Sequence, residues 1–338
     1  MQYRRNKISL WILVLAPAAI AAALILSVLL GSKDIGTGTV LDALLRFDPG
    51  NVDHQIIRHS RIPRAVGAML VGAFLAVSGA LMQGMTRNYL ASPSVLGVTD
   101  GSAFAITLCM VLAPNASSMG MIACSLIGSA ASIAVVFGLS FALPGGLSPV
   151  RMAILGTVVG TFLSGVSAAV ATYFQISQNI SFWYNARLHQ LDPGLIQLAV
   201  PFAVVGLGLA MWIARPVTLL SLGEETASGL GQRTGLVKFA AMASVVILTG
   251  ISVAIAGKIA FIGLIVPHIV RYATRDIDYA RLIPCAAVAG GVFLTLCDVL
   301  ARFLNYPFEM PIGVVTAVLG VPFILYLIRT KGGGRHAS

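Results

Sequence analysis

Residues 101–150 read GSAFAITLCMVLAPNASSMGMIACSLIGSAASIAVVFGLSFALPGGLSPV and hold no Asp, Glu, Lys or Arg. A soluble domain carries about a quarter charged residues, whereas a membrane helix needs roughly 20 mainly apolar ones. The run is long enough for two crossings, and Ala113-Pro114-Asn115-Ala116-Ser117-Ser118 is the polar break between them. Spans at 96–112 and 119–143 follow, and they set the fold class: all-α, with lipid as the solvent.

The same pattern extends in both directions. The 338 residues are 57% hydrophobic and only 10% charged, more apolar surface than a water-soluble fold of this size could bury. Charges mark further spans at 9–30, 65–85, 152–174, 195–213, 237–255, 259–273, 282–304 and 313–328, which makes a polytopic bundle of ten transmembrane helices in one domain, 1–338. Residues 8–32 exceed the core of a signal peptide and end in no small-residue cleavage site, so they read as the first span. The eighth span is the shortest: Lys258 and Arg271 bracket it, so Lys258 is expected to snorkel outward or the helix to be short.

The net charge of +10 fits cytoplasmic loops facing anionic lipid. No basic cluster interleaved with aromatics suggests nucleic acid. An even number of spans puts the basic termini, with Arg4, Arg5, Lys7, Arg329, Lys331 and Arg335, on one side, and the bias in Lys and Arg makes that side the cytoplasm. The 35 glycines suit close helix packing. Lines of small residues at every fourth position (Ala68, Gly72, Ala76, Ala80 and Gly84, then Gly156, Gly160, Ser164 and Ala168) read first as packing seams. Cys109, Cys124, Cys285 and Cys297 lie in apolar stretches without metal-ligand spacing and read as small hydrophobes.

Two connections carry more information. Within the outer segment 31–64, Val40, Leu41, Leu44, Leu45 and Phe47 suggest a short amphipathic helix on the membrane surface, and Pro63 is placed to start the span that follows. The inner segment 214–236 reads as a connector with a short helix of its own. Glu224 and Glu225 would stand at its N-terminus, where negative charge is favoured, and Gly229 or Gly231 at its end. A solvated connector and a docking element for a cytoplasmic partner both fit it. Asp298 and Arg302, four apart on the ninth span, read as a neutralising ion pair, and His268 as a hydrogen-bonded structural residue.

No phosphate-binding G-x-x-x-x-G-K-[ST] occurs in the chain; Gly257-Lys258 lacks both the upstream glycine and the following hydroxyl. ATP-driven transport would need a separate ATPase. An ion-coupled secondary transporter, the competing class, would need titratable carboxylates in the membrane, which are nearly missing. No nucleophile–base or metal constellation points to an enzyme.

The stretch from Arg61 to Phe104, RIPRAVGAMLVGAFLAVSGALMQGMTRNYLASPSVLGVTDGSAF, resembles the first signature of the FecCD family, the permeases of binding-protein-dependent importers of iron–siderophores, haem and vitamin B12. LGEETASGLG at 222–231 resembles that family's cytoplasmic coupling segment, and GKIAFIGLIVPHIVR at 257–271 a third signature. Asp298, Ala301 and Arg302 with EMPIGVVT at 309–316 resemble a fourth.

The resemblance implies ten helices with helices 2–5 and 7–10 as inverted repeats. It also implies a second permease subunit, identical or a paralogue, two cytoplasmic ATPases that hold the ATP and Mg, and an extracytoplasmic binding protein. This chain itself would need no cofactor or metal, would hydrolyse nothing, and would sit in the bacterial cytoplasmic membrane with both termini inside. The implied substrate is an iron(III)–siderophore, with hydroxamate type the commonest assignment and vitamin B12 or haem the alternatives.

By position, Arg61, Arg64 and Arg302 match outward-facing arginines that receive acidic residues of the binding protein, a role for exposed cations on a rim. Gly223, Glu224, Glu225, Ala227, Leu230 and Gly231 match the element that seats in the ATPase. Trp183, Tyr184, Asn185 and Arg187 would lie at the outer vestibule or pathway. The chain departs from the family pattern at Tyr89, where proline is usual, at Lys258 and Ala260, which replace proline and glycine, and at Ala186-Arg187, which replaces glycine-serine.

Overall fold

The computed structural model describes residues 2–31, 33–142, 149–186, 188, 191, 193–275, 278–305 and 308–332. Ten apolar helices run through them: α1 (Gln2–Leu29), α4 (Ile62–Thr86), α5 (Val98–Leu112), α6 (Ser118–Ala142), α7 (Pro149–Tyr173), α9 (Pro193–Trp212), α12 (Thr234–Ala256), α13 (Ile262–Thr274), α14 (Tyr279–Phe303) and α15 (Ile312–Gly332). Seven of these are long and apolar enough to cross a bilayer unaided, and the apolar stretches of α5, α13 and α15 (for α15, Ile312–Leu327) are shorter. The protein is a multi-pass membrane protein.

Five shorter helices join them: α2 (Thr37–Leu45), α3 (Val52–Ile56), α8 (Ser177–Ala186), α10 (Ala214–Leu222) and α11 (Glu224–Gly229). The helix predicted for the outer segment is α2. It buries Val40 and Ala43 and leaves Leu41, Leu44 and Leu45 exposed, an apolar edge suited to the lipid boundary. α3, one π-helical turn over Ile57–Arg61 and α4 follow without a break, and Pro63 occupies the first turn of α4. α8 is an addition to the sequence reading, which has a loop there.

The order of helix lengths recurs along the chain. α4 to α7 run long, short, long, long, and α12 to α15 repeat that order. Packing shows the same relation: α4 packs on α14 and α13, while α12 packs on α6 and α5, and α4 and α12 pack on each other. This reciprocity is what a pseudo-two-fold axis between two repeats produces. Alternate crossings make the second and seventh spans antiparallel, so the repeats are inverted.

Helix packing in lipid relies on backbones that approach closely. The tightest approach joins α4 to α13: a methyl group on Gly79 would run into the backbone of Gly263. Gly79 lies one residue before Ala80, on a face adjoining the predicted line of small residues. Around this crossing Phe74, Leu81, Met82, Leu248, Ile251 and Ile262 are buried and form the core between the two repeats.

Candidate functional site

Charged side chains gather at three places. The first is the end of the bundle where α1 and α14 finish and α4 begins. A helix leaves its last four carbonyls without intrahelical partners. In α1 those are Ser27, Val28, Leu29 and Leu30, and two arginines take all four. Arg61 Nη1 donates to the carbonyls of Val28 at 2.8 Å and Leu29 at 3.0 Å, and its Nη2 donates to that of Lys33. Arg302 Nη1 donates to the carbonyls of Ser27 and Leu30, both at 2.6 Å, and its Nη2 donates to Ser27 Oγ at 2.9 Å.

Arg64 turns to carboxylates. Its Nε and Nη2 form a fork on Asp298 at 2.9–3.0 Å, and its Nη1 donates to Glu309 Oε2 at 2.6 Å. Asp298 also accepts from Arg302, one turn along α14. One carboxylate bridges two guanidiniums, a charge-assisted arrangement that fixes α14 against α4.

The outward exposure expected of Arg61, Arg64 and Arg302 is therefore corrected: they are 5%, 7% and 2% exposed. The reason is chemical. A guanidinium has five donors in a rigid fork, and in the low dielectric beside lipid those donors are drawn to helix-end carbonyls and carboxylates rather than presented on a rim. Arg61→Met is expected to fray the last turn of α1. Hydrogen exchange at the Leu30 amide, which bonds to Leu26, should accelerate about tenfold, or ~1.4 kcal/mol. Unchanged exchange would show that the cap does not hold this turn.

The second place lies between the repeats. Lys258 does not snorkel outward. Its Nζ donates to Asp100 Oδ1 at 2.8 Å and to Ser164 Oγ at 3.0 Å, and Ser164 Oγ donates to the same Asp100 oxygen at 3.0 Å. The ammonium also stands 5.1 Å from the centre of the Tyr184 ring. Tyr184 is held by Thr107 at 2.9 Å and by the Ala103 carbonyl at 3.0 Å. Of the four vestibule residues, Trp183 is buried on α8 against Ile106 and Val253, and Tyr184 reaches Lys258. Asn185 continues α8, and Arg187 lies outside the described residues. Sequence reasoning missed Asp100. The signal was there: no other Asp or Glu stands between Asp53 and Asp192, and an isolated intramembrane carboxylate marks a functional position.

The third place is the opposite end of α4. Here α10 and α11 meet at Gly223, whose φ of 144° is a conformation that side chains disfavour. Glu224 and Glu225 form the first turn of α11. Glu224 is clasped by Lys238 of α12 at 2.7 Å through both oxygens. Ala227 is fully buried, Gln232 Nε2 returns to the Pro216 carbonyl at 2.8 Å, and Gly231 takes a φ of 81° just past the helix. Glu225, Gly229, Leu230 and Gly231 point away from the bundle. The result is a pinned element with an exposed tip, beside a cavity of about 210 Å³ lined by Arg87, Glu224 and Lys238.

Ten apolar helices, eight of them in two inverted repeats, with a compact exposed tip at one end, now stand beside the comparison with known sequences: residues 19–330 match the FecCD transport family. The chain belongs to that family. It is 59% identical over 96% of its length to the iron-uptake system permease protein FeuB of Bacillus subtilis, covering 97% of that protein. It is 48% identical over 91% of its length to the iron(3+)-hydroxamate import system permease protein FhuB of the same organism, covering 80% of it. Among solved structures, an ABC transporter of metal-chelate type in an inward-facing conformation superposes with a TM-score of 0.78 at 25% identity, over 96% of this chain and 99% of that one.

Proposed function

We propose that this FecCD-family chain is the membrane-spanning subunit of an ATP-driven importer that carries iron(III)–siderophore complexes across the bacterial cytoplasmic membrane. The observation that carries the reading is the 59% identity to an iron-uptake permease across nearly the whole of both chains. The chain has no phosphate-binding loop, so the motor is a separate pair of ATPases. The tip built by Gly223, Glu224, Glu225, Ala227, Leu230 and Gly231 is the element that seats in them. Its side is the cytoplasm, with both termini there, a second permease subunit alongside and a substrate-binding protein on the far side. Asp298, Glu309 and the three buried arginines serve as a structural lock at that far end.

Vesicles holding the assembled complex, loaded with ATP and supplied with binding protein and an iron-55 siderophore, should accumulate iron. Omitting ATP or the ATPase should abolish uptake, and ionophores should leave it unchanged. Uptake driven by an ion gradient without ATP would overturn the reading in favour of a secondary transporter.

A further inference from the structure

The Lys258–Asp100 pair has a position that a purely structural ion pair does not require. α13 has 13 residues and α5 has 15. At 1.5 Å per residue they are ~20 and ~22 Å long, well short of a hydrocarbon core of about 30 Å. The segments in front of them, 87–97 and 257–261, start at opposite ends of the bundle, and the short helices leave room for both to dip inward until Lys258 meets Asp100. Such backbone is tolerated only where it is buried in protein or lines a cavity. These are the second helices of the two inverted repeats, so the two breaks between helices occupy equivalent positions. Asp100 stands in the first turn after one break, and Lys258 stands in the other.

A cavity of about 320 Å³ opens at this place. Ser92, Ser94, Asp100, Thr157, Thr161 and Phe261 are among the residues that line it. Thr157 and Thr161 also belong to the outward face of α7, so the cavity continues onto that face. Phe261 holds a left-handed φ of 71°, the kind of strained backbone that persists where the surroundings enforce it. One carboxylate, one ammonium and several hydroxyl-bearing residues thus meet beside a cavity between the two repeats.

We propose that Lys258, parked on Asp100 and Ser164 beside this cavity, is the cation that a ferric chelate meets in crossing, and that it favours chelates of net negative charge. The proposal rests on the iron–siderophore reading above. An ammonium has three donors. Two are held by Asp100 and Ser164, and the Tyr184 ring lies 5.1 Å away, within cation–π reach. An anionic chelate oxygen can accept from the remaining donor without breaking the Asp100 contact. Asp100 keeps the ammonium from standing unpaired when the cavity is empty. It also weakens the hold on the chelate, which a conduit needs so that its cargo can leave. A neutral chelate gains nothing from Lys258.

The test uses the whole complex in vesicles, with ATPase and binding protein, and compares an iron-55 tris-catecholate (charge 3−) with a neutral tris-hydroxamate. Per assembled complex, Lys258→Met should lower ATP-driven uptake of the catecholate at least tenfold and that of the hydroxamate less than twofold. Lys258→Arg should restore most of the loss. The double variant Asp100→Asn/Lys258→Met leaves no unpaired charge. Uptake of the catecholate should stay low in it, whereas recovery to the wild-type rate would show that the pair only neutralises itself and would overturn the proposal. Wild-type transport of the neutral chelate alone, or undiminished catecholate uptake by Lys258→Met, would overturn it as well while leaving the importer intact. A wild-type complex that moves neither chelate with ATP would instead remove the iron–siderophore reading, and this proposal with it.

Discussion

Replacing Asp298 by alanine is expected to remove most of the folded protein from the membrane. Asp298 is 1% exposed and holds two buried guanidiniums, Arg64 through a fork and Arg302 through its other oxygen. Taking away one partner of a buried pair costs about 3–5 kcal/mol, because the opposite charge is left uncompensated, and here two charges would be left, with Glu309 alone to answer them. The consequence spreads by geometry. Arg302 also carries the carbonyls of Ser27 and Leu30, so a displaced Arg302 uncaps α1. Asp298→Asn keeps an acceptor and should lie between alanine and wild type. The control is Asp53→Ala, which breaks the exposed Lys33–Asp53 pair and should cost under ~1 kcal/mol. Thermal unfolding of the detergent-solubilised protein and its yield by size exclusion measure all three. An Asp298→Ala protein that melts with the wild type would show that the cluster is not the lock described.

The apolar spans were legible because hydropathy is local: nine of the ten helices lie within four residues of the range the sequence predicts, and α1 starts seven residues earlier, through its basic end. The acidic first turn at Glu224 and Glu225 was legible for the same reason. What the sequence could not show were pairings at long range. Arg64 meets Asp298 and Glu309 across 234 and 245 positions, and Lys258 meets Asp100 across 158. An arginine next to a span looks the same in sequence whether its fork turns outward or caps a neighbouring helix, so burial of Arg61, Arg64 and Arg302 was hidden. α8, SQNISFWYNA, was missed because it is short, polar at its start and free of any sustained apolar period. The short α13 shows the middle case. Its length was readable from the charges at Lys258 and Arg271, but whether Lys258 would turn to water or into the bundle depended on a carboxylate from the other repeat.

Leu230→Arg should detach the ATPases while leaving the permease as stable as before. α11 divides its residues cleanly. Ala227 is sealed against its own chain and Glu224 is tied to Lys238, whereas Leu230 stands 67% exposed at the tip. Among the described residues nothing covers this apolar side chain, and the proposed seat in the ATPase would bury it. Burying one leucine is worth about 1.5–3 kcal/mol, and an interface hot spot loses 2 kcal/mol or more on truncation. Arginine adds the desolvation of a charge to that loss. Affinity for the ATPase should fall at least 100-fold, about 2.7 kcal/mol, and ATP-driven uptake should fall with it. The melting temperature of the isolated permease should not move, since Leu230 contributes little to its own fold. Glu224→Gln sets the contrast: it loosens the clasp from Lys238 inside the element and should weaken coupling less. Co-purification of the ATPase with the Leu230→Arg permease at the wild-type ratio, with uptake intact, would place the motor's seat somewhere other than this tip.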